Sequence, residues 1–402
     1  MMNAPLKSHT AVDHIRGFHP ELVAIRRDIH AHPELGFKEQ RTADLVAHSL
    51  ASFGIEVHRG LATTGVVGVI HGKQTRSGRA IGLRADMDCL PMHETSQLPY
   101  RSVHVGCMHA CGHDGHTTML LGAARYLAQT RNFDGTAYVI FQPAEEGGGG
   151  GRVMVEEGLF ERFPVDAVYA LHNWPNLAPG KIAVRPGPMM AAADELTITL
   201  RGHGGHGAMP HLCTDPVLIS AHVITALQSI ASRNVHPVDA VVVSICSMTT
   251  SQVGAFNVIP DHVELIGTVR TFRPDTRDLA ERRVHEIVSG VANALGGSAQ
   301  IDYRRGYPAT VNTEAEAHFA AKVGATIFGA DNVLTNDDPT MGAEDFSYML
   351  QARPGAYIFL GQGGGPMGCF LHNPNYDFND DVIPLGAGYL AALIEAGLPL
   401  KT

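Results

Sequence analysis

The sequence predicts an α/β protein: a mostly parallel-sheet catalytic domain interrupted by an inserted ferredoxin-like α+β lid/dimerisation domain. Three observations carry the reading. Short apolar runs alternate with helical runs through the first 190 residues and again toward the C-terminus, the pattern of a parallel sheet with helices on both faces. Between 191 and 305 the order changes to β-α-β-β-α-β. With 402 residues, the chain has material for more than one buried core.

The elements follow in order. FHPELVAIRRDIHAHPELGF (18–37) has apolar spacing near 3.6, and RTADLVAHSLASFG (41–54) repeats it and stops at Gly54. GVVGVIHG (65–72) and AIGLRADMDCLP (80–91) read as strands ending in polar residues. TTMLLGAARYLAQT (117–130) reads as a helix, and GTAYVIFQPAEEGGGG (135–150) as a strand running into a glycine loop. DAVYALHNWP (166–175) is a further buried strand. ELTITLRG opens the insertion with alternating Leu196, Ile198 and Leu200, and an apolar helix follows over 215–232. AVVVSICSMTT (240–250) and HVELIGTVRTF (262–272) read as strands, 278–297 as a helix and AQIDYRRGYP (299–308) as the last strand of the unit. A helix over 314–328, the strand AYIFLGQ (356–362) and a helix over 386–397 return the chain to the first sheet. The expected division is therefore 1–190 with 306–402, and 191–305.

Composition narrows the function classes. A formal net charge of −10 argues against a phosphate-binding face, so nucleic acid is not an expected partner. No apolar run approaches the roughly 20 residues of a membrane helix. The first 20 residues lack the apolar core of a secretion signal, and the six cysteines show no CxxC spacing. These features point to a cytoplasmic protein with reduced thiols.

The 23 histidines justify a search for clusters. In a parallel sheet ligands gather beyond the carboxyl ends of strands. Cys111 and His113 lie in GCMHACGHDGHTT just before a helix; Glu145 and Glu146 follow the strand AYVIFQ; His172 ends VYALH; His372 follows AYIFLG. Singly, a Cys-x-His pair more often packs than ligates, and paired glutamates after a strand are more often a solvated turn. Together, a thiolate, three imidazoles and a carboxylate on one rim suit a borderline-soft divalent ion.

The runs ADMDCLP, MHACGHDGH, FQPAEEGGGG, ALHN and LHNP resemble the hippurate hydrolase and auxin-conjugate amidohydrolase branch of the co-catalytic metallopeptidases. That family includes aminoacylases and glutamate carboxypeptidases. The resemblance extends from HAHPELGF (30–37) to NDDVIP (379–384). It implies two divalent metal ions (Zn, Mn, Co or Ni), held by Cys111, His113, Glu146, His172 and His372, with Glu145 as catalytic base. It also implies a small-molecule N-acyl amino acid substrate and a homodimer or higher homo-oligomer built through the inserted domain.

Other positions follow from the same resemblance. The wider family carries a ligand histidine in HxDxxP, but here the stretch reads Asp86-Met87-Asp88-Cys89-Leu90-Pro91. Asp88 is then expected to orient a ligand. Independently of the resemblance, five ligands are few for two ions, so one should bridge them, and Cys111 is the expected bridge. His206 matches the lid histidine that reaches the other subunit's active site, with His203 and His211 as competitors. Asn257 and Arg270 resemble residues that take a substrate carboxylate, and Glu344 in MGAEDFSY is expected to support the metals from behind. Competing readings are a dipeptidase of the same family, a non-catalytic zinc-stapled binding protein, and a cysteine hydrolase using Cys111. Tolerance of a free amino group separates the first of these, and a closed ligand set the second.

Overall fold

The computed structural model describes residues 10–364 and 368–400. Part of the N-terminal stretch read as lacking a secretion signal lies outside the described residues. The chain divides into two compact units: one runs through Met189 and takes in Val311–Asp338 and the chain from Asp345, and the other comprises Met190–Thr310 and Pro339–Glu344.

The first unit is built on an eight-stranded sheet in the order Glu56–Leu61, Gly65–His71, Thr136–Gln142, Ala80–Asp86, Ala167–Trp174, Gly355–Gly361, Ile182–Ala183, Val333–Leu334. Its four central strands, from Thr136–Gln142 to Gly355–Gly361, run parallel. Ala80–Asp86 and Gly355–Gly361 are buried at every residue, which explains why they read as continuous apolar runs. Both edges depart from the parallel pattern: Ile182–Ala183 pairs antiparallel to Gly355–Gly361 on one side. On the other, Glu56–Leu61 and Gly65–His71 form an antiparallel hairpin that pairs antiparallel to Thr136–Gln142. EVHRGL has too little apolar alternation to be read as a strand, because it is a half-exposed edge.

Helices cover the sheet. His113–Thr130 is buried along most of its length, with Met119, Leu120, Leu121 and Leu127 fully enclosed. Each leucine in such a place is worth about 2–5 kcal/mol over alanine. Ile383–Gly397 belongs to the same core, and Gly386 allows the close approach: a Cβ there would meet Met119 Sδ at 2.1 Å. The His113 helix starts four residues before the expected 117, because HDGH carries no apolar periodicity.

The second unit is a four-stranded antiparallel sheet in the order Val241–Thr250, His262–Thr271, Ala192–Arg201, Ser298–Arg305. Leu196, Ile198, Leu200, Val263, Leu265 and Val269 share one core with residues of helices Pro216–Leu227 and Pro274–Ala294. The first of these helices ends as α-helix at Leu227 rather than near 232, and a wider turn over Ile230–Asn234 follows. Pro339–Glu344, which holds the start of MGAEDFSY, also groups with this unit, whereas the sequence predicts all of 306–402 in the first.

Candidate metal centre

Four neighbouring parallel strands end in polar side chains on one rim of the first unit. Asp88 follows Ala80–Asp86, Glu145 and Glu146 follow Thr136–Gln142, His172 lies within Ala167–Trp174, and His372 follows Gly355–Gly361. Cys111 and His113 enter from the start of the long helix.

The backbone is bent sharply to achieve this. Gly112 takes φ 91° between Cys111 and His113, and a Cβ there would meet Asn173 Oδ1 at 2.3 Å, so only glycine fits. Ala144 (φ 52°) and His372 (φ 63°) hold the same left-handed conformation without being glycine, at a cost of order 1–3 kcal/mol each. Hydrogen bonds hold both: Ala144 N–H donates to Glu39 Oε1 at 2.9 Å, and His372 N–H to the Ala110 carbonyl at 2.8 Å.

The ligand atoms fall into two triads that share one residue. Cys111, His113 and His172 lie within 4.8 Å of one another, as do Cys111, Glu146 and His372. Cys111 Sγ is 3.5 Å from His172 Nε2, and His372 Nε2 is 3.4 Å from Glu146 Oε1. His113 Nε2 lies 4.0 Å from both Glu145 Oε2 and Glu146 Oε1.

The imidazole tautomers follow from their outer partners. His113 Nδ1–H donates to the Asp88 carbonyl at 2.9 Å, and His172 Nδ1–H to the Asn173 carbonyl at 2.7 Å. Each Nε2 therefore presents a lone pair to the rim. His113 Nε2 and Glu146 Oε1 are buried and make no hydrogen bond among the described residues. Buried orphan acceptors cost about 1–3 kcal/mol each unless something answers them, and a cation answers both. The donor set of thiolate, imidazole and carboxylate fits a divalent transition ion.

Electrostatics point the same way. Burial and the Glu146 charge push the Cys111 thiol up. Burial and the neighbouring His116 hold His172 well below the usual imidazole range. Burial also acts against the charged form of His113, but Asp86 outweighs it and holds this ring well above that range. His372, beside Cys111 and with Nε2 3.4 Å from Glu146 Oε1, is pushed up to about 10. His113 and His372 are thus favoured as charged rings beside these carboxylates, and His172 as a neutral one.

Asp88 contacts two of the candidate ligands. Besides its carbonyl on His113, its Oδ2 accepts the Glu146 N–H at 2.9 Å. Glu145 is buried, with 7% of its surface exposed. The second unit carries the other candidates. His206 is exposed on the short strand Gly205–His206, which pairs with Val258–Ile259 and so brings His206 beside the backbone of Asn257. Gly207 N–H donates to the Asn257 carbonyl at 2.8 Å. Arg270 is half-buried on His262–Thr271, and its Nε donates to Thr268 Oγ1 at 3.0 Å. Glu344 is buried, with its carbonyl accepting from Thr310 Oγ1 at 3.3 Å. Of the competing histidines, His203 is bridged through its backbone to Thr214, and His211 lies in the 3-10 turn Pro210–Leu212.

Sequence reasoning missed the layer behind the ligands. His116 Nδ1 is 2.6 Å from Asp86 Oδ1, and its Nε2 accepts the Asn173 N–H at 3.0 Å. Asn173 Nδ2 donates to the Tyr376 hydroxyl at 2.7 Å, and that hydroxyl donates to Gln362 Oε1 at 3.1 Å. The available signal was the spacing of His113 and His116, three apart and so on one helix face; their rings lie 5.4 Å apart.

Comparison with known proteins agrees with this architecture. Residues 82–396 match the model of peptidase family M20/M25/M40. A hippurate hydrolase of Campylobacter jejuni is 44% identical over 93% of this chain and 95% of its own length. An N-acetylcysteine deacetylase of Bacillus subtilis is 35% identical over 94% of this chain and 97% of its own. A dinuclear metal-binding peptidase of the family from Bacillus subtilis superposes with a TM-score of 0.80 at 32% identity, covering 95% of this chain and 99% of the other. The chain is an amide-bond hydrolase belonging to peptidase family M20/M25/M40.

Proposed function

We propose that this enzyme hydrolyses the amide bond of N-acyl amino acids, with two divalent ions held by Cys111, His113, Glu146, His172 and His372. The observation that carries the reading is the pair of ligand triads sharing Cys111, with buried orphan acceptors on His113 and Glu146. Relatives named for hippurate, auxin-conjugate and N-acetylcysteine hydrolysis support the substrate class. The Cys111 thiolate favours zinc, and manganese, cobalt or nickel suit the remaining donors.

Bound there, the ions supply Lewis acidity that polarises the amide carbonyl and acidifies water. Glu145 takes a proton from the attacking water as its oxygen bonds to the acyl carbon. The C–N bond then breaks, and Glu145 returns the proton to the departing amine, leaving a carboxylate and a free amino acid. Consecutive side chains diverge, so Glu146 can hold metal while Glu145 faces substrate. Asp88 keeps the His113 ring and the Glu146 backbone in place. In the proposed homodimer, His206 of one subunit donates to the oxyanion at the other's site; its Nδ1 accepts the Ala208 N–H at 3.1 Å, which leaves Nε2–H as the donor. Arg270 and Asn257 take the substrate carboxylate, for which a guanidinium fork is suited, and Glu344 supports the ligands from behind. No described helix is long and apolar enough to cross a membrane; we place the enzyme in the cytoplasm.

Hydrolysis of hippurate, N-acetyl-methionine, indole-acetyl-alanine and an unblocked dipeptide tests the reading, using metal-reconstituted and chelated protein. Cleavage of acylated members alone, abolished by chelator, is the expected result. Cleavage of the dipeptide alone would make the enzyme a dipeptidase, and chelator-insensitive cleavage would overturn the metal assignment.

A further inference from the structure

Two thiols that the proposed chemistry does not use meet beside the metal centre. Leu90 and Met108 form an isolated antiparallel bridge, exchanging N–H···O bonds of 3.0 and 3.1 Å. Successive side chains alternate across such a pairing, so Cys89 and Cys107 share the face opposite Leu90 and Met108. Both are free cysteines, and Cys107 is near enough to Cys89 to act on its thiol. Each ends a segment that serves the site. Cys89 follows Asp88, whose oxygens hold His113 and Glu146. Cys107 leads through Ala110, whose carbonyl holds the His372 backbone, to Cys111.

We propose that Cys89 and Cys107 are a redox modification site: hydrogen peroxide converts the pair to a disulfide that ties the Asp88 segment to the Cys111 segment and lowers turnover reversibly. Their environments assign the order of events. Cys89 is 3% exposed, and burial, with Cys107 and Asp88 adding to it, holds its thiol far above the usual range. Cys107 is partly exposed, beside a loop that presents Val103 and Val105 to solvent. Cys107 sulfur therefore attacks one peroxide oxygen; the O–O bond breaks, the thiol proton leaves with the other oxygen as water, and a sulfenic acid remains. Cys89 sulfur attacks the sulfenic sulfur, the S–S bond forms, and the expelled hydroxide takes the Cys89 proton as a second water. The two thiols are oxidised by two electrons and one peroxide is reduced to two waters. Diagonal neighbours in an antiparallel pair sit near the outer limit of disulfide reach, so closure draws the two segments together and disturbs the Asp88 contacts.

The effect on turnover rests on the amide-hydrolysis reading; the cross-link does not. Full-length, metal-loaded wild type and Cys107→Ser are treated with hydrogen peroxide, then followed by non-reducing peptide mapping, melting temperature and turnover. Wild type should yield a Cys89–Cys107 cross-linked peptide, melt higher because the bond restricts the unfolded chain, and lose turnover at least tenfold until dithiothreitol restores it. Cys107→Ser should show none of these. No cross-link, a cross-link with unchanged turnover, or equal loss in Cys107→Ser would each overturn the proposal. A protein inactive on every substrate would refute the hydrolase reading, yet the peptide map and melting shift would still decide this one.

Discussion

Within the first unit, two buried polar regions lie back to back across the start of the His113–Thr130 helix. On one side, His113 Nε2 and Glu146 Oε1 are enclosed and unanswered among the described residues. On the other, Asp114 is held by Arg26 Nε at 3.0 Å and by His30 Nδ1 at 2.8 Å, with Asp377 on Arg26 and Glu94 on His30 at 3.5 Å. Consecutive residues of one helix thus serve opposite ends. Arg26 Nε also lacks a hydrogen bond by strict geometry, but three carboxylates surround its charge, whereas at the rim thiol, imidazole and carboxylate donors converge on one place. The contrast separates a ligand site from a structural cluster of the same residue types.

The sharpest way to break that comparison is to change one residue on each side. Glu145→Gln should lower turnover about 10²–10⁴-fold, the usual worth of a general base, with metal content by elemental analysis unchanged; near-normal turnover would remove Glu145 from the chemistry. On the closed side, Asp114→Asn removes the carboxylate shared by Arg26 and His30, leaving Arg26 with Asp377 and Asp380, and should cost about 3 kcal/mol, read as a lowered denaturation midpoint.

Stability across pH sharpens the second result. The Asp114 carboxylate, though burial opposes its charge, is held far below its ordinary 3.8 by Arg26 and His30. Its contribution is complete above that value and is lost as pH falls below it. His30, disfavoured by burial but bonded to Asp114 and Glu94, is raised above its ordinary 6.5, so its contribution is complete below that value and is lost as pH rises through the folded value. The gap between wild type and Asp114→Asn should be widest between pH 3.8 and 6.5. A gap that does not change with pH would mean that the network is not ionic.

His372→Ala removes one member of the second triad and should lower bound metal from two ions toward one, with an unchanged melting curve for the metal-free protein. His206→Ala should leave metal content intact and reduce turnover by about 10²-fold, the loss typical of one oxyanion donor; full activity would exclude the cross-subunit donor.

What the sequence revealed and concealed follows the same division. Ala80–Asp86 and Gly355–Gly361 read as strands because burial on both faces demands unbroken apolar runs. The rim residues were legible because they follow such strands. The hairpin edge at Glu56–Leu61 was not, since a half-exposed edge carries little pattern. The His116–Asp86–Asn173 chain was also hidden: its members come from a helix and two strands, and only folding brings them within hydrogen-bonding distance. His113 beside Asp114 illustrates the limit, because adjacent letters gave no sign that one faces the rim and the other the core.

The central claim, that one thiolate is common to two ion sites, is tested most directly by an anomalous-difference map of crystals of the metal-loaded protein. Two peaks about 3.5–4 Å apart, with Cys111 sulfur in contact with both, are the predicted result. A single peak, or a second peak that Cys111 does not touch, would contradict it.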